Sequence, residues 1–281
     1  MNAAPTNASS ATVALIRDTF REAFARRIFW GFFACCSALL LFLMFIMRID
    51  VVQGAIATVT IFGRSTPSTD VQDLVQQTQS VIAMILYFAG MALSVFASAG
   101  LVAAVFEPGR IELLLSKPVS RIHLLLGRYA GNVLVVAANI VYLVAGSWII
   151  FGVKTSTWGA GFLMSSLCTI FIFAVLLAIL VLVGVLWDSS AVAIMVTFAI
   201  MIITPILAQK PTIERLLSSE WSRDVVRVLY YVLPKTSDVS VIIRRMILNQ
   251  PIESWMPVWS TALFGAVVLA LGLWRFQRRS F

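Results

Sequence analysis

Six stretches of this chain run for 20 residues or more without an Asp, Glu, Lys or Arg, and no other feature limits its fold so tightly. They are Ile28–Met47, Val81–Phe106, Tyr129–Val153, Thr155–Trp187, Ser189–Gln209 and Ser254–Trp274. A helix rises ~1.5 Å per residue, so about 20 apolar residues cross the hydrocarbon layer of a bilayer. The runs predict six spans, near residues 28–47, 81–106, 129–153, 160–187, 190–209 and 255–274. Only Asp188 separates the fourth from the fifth, and one helix of their joint length does not suit a layer ~30 Å thick. A tight hairpin at Trp187–Ser190 is therefore required. Composition agrees: 60% of residues are hydrophobic and 12% charged, against about 25% charged in globular chains, and mean hydropathy is +0.95. The expected fold class is an all-α polytopic membrane protein.

The net charge of +8 does not mark a nucleic-acid partner, because the basic residues form no single soluble patch. Their distribution follows topology instead. Arg17, Arg21, Arg26 and Arg27 precede the first run, basic residues from Arg110 to Arg128 follow the second, and Arg275, Arg278 and Arg279 follow the sixth. Six spans put these three segments on one side, which the positive-inside rule assigns to the cytoplasm, with both termini. The segment Lys210–Glu253 carries seven basic residues on the other side, a weaker objection because long loops obey the rule poorly. The first apolar run is too long for a signal-peptide core and lacks a small-residue cleavage site, so it reads as an uncleaved anchor.

The segments between spans have their own patterns. Residues 1–27 form a cytoplasmic tail in which Ile16, Phe20, Phe24 and Ile28 recur every fourth position, an amphipathic helix suited to the membrane interface or to packing on protein. Outer segment 48–80 opens with β-branched Ile49–Phe62, which favours strand. Outer segment 210–254 has two amphipathic faces. Val225, Val228, Leu229 and Val232 mark one, ending at Pro234; Val239, Ile242, Ile243, Met246 and Ile247 mark the other, ending before Pro251. Residues 275–281 form the second cytoplasmic tail.

Several chemistries are excluded by what the sequence lacks. No G-x-x-x-x-G-K-[ST] phosphate loop occurs, and no Gly-Lys dipeptide exists to build one. With one histidine, His123, the chain assembles neither a His-based metal cluster nor a catalytic triad. Cys35, Cys36 and Cys168 lie in apolar runs and imply no disulfide framework. Cys35, Cys36, Met44 and Met47 are soft ligands of the kind copper takes, but adjacent cysteines point about 100° apart on a helix and Met44 follows two turns later, so no metal site is predicted. Polar groups at membrane depth are few. Ser94 and Ser98 share a face with Gly90, and Asn132 shares one with Asn139; these residues either line a pathway or pack spans closely.

Between the second and third runs lies the charged segment 107–128, within FEPGRIELLLSKPVSRIHLLLGRYAG. Pro118 stops a short helix over Ile111–Ser116, and Ser120 can cap a second helix that starts at Arg121 and continues into the third span. Leu113, Leu114 and Leu115 offer an apolar knob beside Glu112 and Lys117, a mixture suited to docking in a protein groove. This pattern resembles the membrane-spanning subunits of type-2 ABC exporters, in particular the bacterial group associated with maturation of multi-copper enzymes. One departure is Gly109-Arg110, where the motif usually has Gly-Thr.

The resemblance implies a bacterial inner-membrane permease with six transmembrane helices, an N-terminal interfacial helix, a cytoplasmic coupling helix and outer amphipathic helices. It implies that Glu107, Arg110, Glu112, Lys117, Pro118 and Arg121 contact a separate ABC ATPase subunit, which holds ATP and Mg while this chain holds no cofactor. It also implies a second permease, either a copy in a homodimer or a related chain, surrounded by membrane lipids. The expected function is to form the translocation path for an amphipathic, lipid-like or maturation-related cargo. Two rivals are a non-transporting membrane scaffold or sensor and a lipid-modifying membrane enzyme. The latter wants converging acidic or histidine groups, whereas Asp50, Asp70, Asp73 and Asp188 fall on different loops.

Overall fold

The computed structural model describes residues 17, 21–22, 24, 27–46, 48–52, 56–61, 64–65, 69–103, 120–210, 213 and 219–278. The first long helix, α1, covers Arg27–Leu41 and continues through a wider helical turn at Phe42–Ile46. Four short strands follow: β1 (Arg48–Val52), β2 (Ile56–Ile61), β3 (Arg64–Ser65) and β4 (Thr69–Asp70). β2 pairs antiparallel with the other three, and Ile49 faces Val59 across the β1–β2 ladder. The chain is thus predominantly helical, as expected, with a small sheet in the segment whose β-branched residues favour strand.

The helices after the sheet account for the spans. α2 (Val71–Ile85), a wide turn at Leu86–Gly90 and α3 (Met91–Ala103) form one continuous rod. α4 covers Arg121–Thr155, α5 Ala160–Trp187 and α6 Ser190–Ala208. Two short helices, α7 (Glu220–Val232) and α8 (Thr236–Ile247), precede α9 (Met256–Gln277). Five segments are long and apolar enough to cross a membrane: Val71–Gly100, Ile122–Thr155, Ala160–Trp187, Ser190–Ala208 and Met256–Gln277. Phe29–Phe45 is a shorter apolar helix. Its 17 residues reach about 26 Å, just under the hydrocarbon thickness, so the six expected crossings stand as five plus this one.

Capping explains where helices begin. The second span was expected from residue 81, after the polar residues Gln76–Ser80, yet its helix starts at Val71. Asp70 accepts a hydrogen bond from the Gln72 backbone N–H at 2.8 Å, and Asp73 in the first turn suits the positive end of the helix dipole. The third starts at Arg121, eight residues before the apolar run, because Ser120 accepts from the His123 backbone N–H. Asp188 is left-handed (φ 54°) and Ser189 caps α6 at Val192, making the hairpin that the sequence required. Pro205 lies inside α6, which runs on to Ala208.

α5 is the centre of the bundle. It packs against α9, α4, α6, α8 and α3. Of its apolar window 72% is buried, against 22% for α6 and α9, as expected of a helix that is hydrophobic all round. Phe162, Ile172, Phe173, Leu176, Leu177 and Leu180 fill its core. Two glycines set close approaches. A Cβ on Gly161 would lie 2.0 Å from the Met246 carbonyl oxygen, so the end of α8 meets α5 backbone to backbone. A Cβ on Gly265 would lie 2.8 Å from a Val175 methyl, which fixes α9 against α5.

Successive hairpins divide the bundle ends. The starts of α1 and α4, the α5–α6 turn and the ends of α3 and α9 share one end. The start of α2, the α4–α5 connection, α7, α8 and the start of α9 share the other. Contacts agree with this order: Lys154 at the end of α4 donates to the carbonyls of Leu43 and Met44 at 2.7 and 2.8 Å.

Candidate functional site

The segment singled out for partner contact falls mostly outside the described residues: Glu107, Arg110, Glu112, Lys117 and Pro118 all lie there. Arg121 is described as the first residue of α4, by its backbone. The adjacent base of α4 is well defined. Ser120 Oγ also bonds His123 Nδ1, which holds that ring against the helix start. Two turns on, Arg128 is 3% exposed and forms an ion pair with Glu22 from the N-terminal segment. In the sequence Glu22 stands off the apolar Ile16–Phe20–Phe24–Ile28 repeat. No local pattern joins residues 106 positions apart, so this link between the N-terminal segment and α4 escaped the sequence.

The pair joins the N-terminal segment to the helix that leaves segment 107–128. Both side chains are largely withdrawn from water, at 4% and 15% exposure. Desolvating two charges offsets much of their attraction, so the pair adds little net stability, but removing one partner leaves a costly buried charge. The contact therefore specifies position more than it stabilises the fold.

The four polar residues at membrane depth are all buried within one chain: Ser94 and Ser98 at 2% and 1% exposure, Asn132 and Asn139 at 1% and 3%. Ser94 donates to the Gly90 carbonyl at 2.7 Å and Asn139 to the Val135 carbonyl at 3.2 Å, each within its own helix. Ser147 and Thr197 make the same bond, to Leu143 and Ala193. These bonds satisfy the Ser94, Ser147 and Thr197 hydroxyls and the Asn139 Nδ2 group, as small polar residues do between packed helices, while Asn139 Oδ1 is left without a partner. Asn132 differs, because neither its Oδ1 nor its Nδ2 has a hydrogen-bond partner. A buried amide in that state costs about 1–3 kcal/mol.

Cys36 is buried and Cys35 is exposed, so the adjacent thiols do point apart. Met44 is exposed, and Met47 lies outside the described residues. Among the described residues no three His, Cys, Asp or Glu side chains group to hold a metal ion.

At the opposite end of the bundle, the α7–α8 turn forms a polar node that the sequence did not reveal. Lys235 is 4% exposed; its backbone N–H donates to Thr261 Oγ1 at 3.0 Å, and its ammonium donates to Met256 Sδ at 3.2 Å. That ammonium sits 4.9 and 5.2 Å from the ring centres of Tyr230 and Tyr231, in cation–π range. Thr236 accepts from Tyr87 through its carbonyl at 2.6 Å and bonds Thr204 through its hydroxyl at 2.6 Å. Lys235 and Thr236 thereby tie α8 to the α2–α3 rod, α6 and α9. Tyr230 donates to Asp238 Oδ2 at 2.8 Å. Burial first, then the bond to the Asp238 carboxylate, pushes the Tyr230 phenol up to about 12. Burial pulls the Lys235 ammonium below its ordinary value, partly countered by Asp238.

A bundle whose helices are apolar outward as well as inward, with five segments of membrane-crossing length, defines a multi-pass membrane protein. The chain belongs to the ABC-2 family transporter proteins, whose family description matches residues 13–281. Membership makes it a permease, the membrane component of an ABC transporter, and implies pairing with an ABC ATPase subunit. A search of curated proteins finds no significant match.

Proposed function

We propose that this permease works as one of two copies, joined to two separate ATPase subunits, in an exporter of amphipathic cargo from the cytoplasmic membrane of a bacterium. The observation that carries this reading is the family match over nearly the whole chain. In this reading Phe29–Phe45 is the first of six crossings, with local bilayer thinning taking up its short length. Both termini and segment 107–128 lie in the cytoplasm, supported by the basic residues gathered at that end. ATP and Mg are bound by the partner. ATP-driven closure of the ATPase pair shifts the permease between inward-facing and outward-facing states through differential contacts at Ile111–Arg121.

What supports a coupling role for this segment is its place. It leads into α4, and α4 is tied near its base to the N-terminal segment by Glu22–Arg128. A displacement at Arg121 would therefore reach the N-terminal segment and α5, against which α4 packs. The polar residues buried in one chain support a path formed between the two copies rather than through either. The test is co-purification of the permease with its ATPase, followed by charge reversal at Glu112 and Arg121. Glu112→Lys and Arg121→Glu should insert normally and lose assembly or ATPase stimulation; unchanged stimulation and transport in both would remove the docking role.

A further inference from the structure

A groove of about 870 Å³ lies between α2 and α8, at the bundle end opposite the α5–α6 turn. Its size falls within the ~300–1,000 Å³ of ordinary small-molecule sites. One wall is the α2 stripe running from Asp73 through Gln76, Gln77 and Ser80 to Met84; the other is the α8 stripe Ser240, Val241 and Arg244. The two helices run antiparallel. Thr236 at the start of α8 is bonded to Tyr87, so Arg244 near its end lies toward the start of α2. The groove is thus graded along its length. Asp73, Gln76, Gln77 and Arg244 mark its shallow end, and Val81, Met84 and Ile85 mark the end that enters the span.

The polar end is open to a ligand. Among the described residues, the side chains of Asp73, Gln76, Gln77 and Arg244 have no hydrogen-bond or ion-pair partner, and Asp73 and Arg244 do not pair with each other although both line the groove. Gln76 is 91% buried as a residue, and what access it keeps is to this space, which it lines. One negative and one positive group on facing walls of an amphipathic groove select a ligand carrying both charges at one end of an apolar chain. An anionic amphiphile would meet Asp73 and a cationic one would meet Arg244, and like-charge contacts of that kind discriminate between ligands.

We infer that this groove binds a single-chain zwitterionic amphiphile, its phosphate on Arg244, its ammonium on Asp73, and its acyl chain along Val81, Met84 and Ile85. The inference rests on the exporter reading only in taking such a molecule as cargo; the binding itself needs the permease alone. The reciprocal pairing of Asp73 and Arg244 between two copies is the competing occupant.

The test uses the full-length permease purified in detergent with fluorescent lysophosphatidylethanolamine, lysophosphatidylglycerol and monoacylglycerol as probes. Lysophosphatidylethanolamine should bind roughly tenfold more tightly than either other probe. Asp73→Asn should bring lysophosphatidylglycerol to within about twofold of it, and Arg244→Gln should do the same for monoacylglycerol. Val241→Trp, which narrows the groove, should weaken all three together. Both charged positions are exposed, and unchanged elution and melting temperature would show that these variants fold. Equal binding of the three probes, or a preference kept in both charge variants, overturns the assignment. So does a disulfide-linked dimer formed by mixing Asp73→Cys and Arg244→Cys chains in a background lacking the native cysteines, since it gives the groove to the second copy. Failure here leaves ATPase pairing intact, and failure of ATPase pairing leaves the binding result intact.

Discussion

Single residues carry two kinds of electrostatic information in this protein. Tyr230 is held neutral by burial and by Asp238, with its phenol near 12 against an ordinary value of 10.0. A folded-state value above the unfolded one stabilises the fold below pH 10 and loses that contribution as pH rises from 10 to 12. Asp238→Asn removes the second cause, so tyrosinate absorbance followed through an alkaline titration should show one phenol ionising earlier. Lys235 acts with the opposite sign, because its folded value lies below 10.5 and its burial opposes folding while the ammonium is charged. The Glu22–Arg128 pair is of the other kind, a specific contact with little net strength. Glu22→Gln should lower the melting temperature in detergent, by an amount corresponding to ~3 kcal/mol at most. An unchanged temperature would show that Arg128 is held by its other contacts.

At the scale of elements, helix packing depends on where a side chain is absent. Gly161 is such a place: an added methyl would strike the Met246 carbonyl at 2.0 Å, and backbone gives way less easily than a flexible side chain. Gly161→Ala should cost about 1–3 kcal/mol as the end of α8 moves off α5. Gly159→Ala, two residues earlier with nothing within 4 Å of the added atom, should leave thermal stability unchanged. Equal melting temperatures for the two variants would refute close packing at this contact. α7 belongs to the same scale. None of its residues is buried, and exposed Trp221, Val225, Val228 and Val232 share one face, while Arg223, Asp224 and Arg227 lie toward the other. Its pattern is that of a helix lying at a membrane surface.

For the whole molecule, alternating hairpins predict which ends share a side. Asp188 in the α5–α6 turn and Ser254 before α9 lie at opposite ends of the bundle. In a background without the native cysteines, a membrane-impermeant thiol reagent should label Ser254→Cys in intact cells and reach Asp188→Cys only after lysis. The reverse pattern would invert the proposed orientation and place segment 107–128 away from any cytoplasmic ATPase.

Much of this architecture was legible in the chain because the bilayer imposes a simple rule: backbone polar groups must bond internally, and charge must stay out of the hydrocarbon. The apolar runs, the Asp188 hairpin, the β-branched segment after α1 and the two amphipathic helices before α9 all follow from local composition. The helix start at Val71 was less legible, since Asp70 extends that helix into polar sequence by capping, whereas the Ser120 cap and the start at Arg121 follow from the residues around Pro118. Three features came only from tertiary structure: the Glu22–Arg128 pair, the Lys235–Thr236 node and the groove between α2 and α8. Each joins residues far apart in the chain, and no local periodicity records which polar groups will meet when apolar faces pack. The sequence determined that this chain crosses a membrane and belongs with transporter subunits. Packing decided where its few polar groups converge, because only the arrangement of helices fixes which are satisfied and which are left open to a ligand.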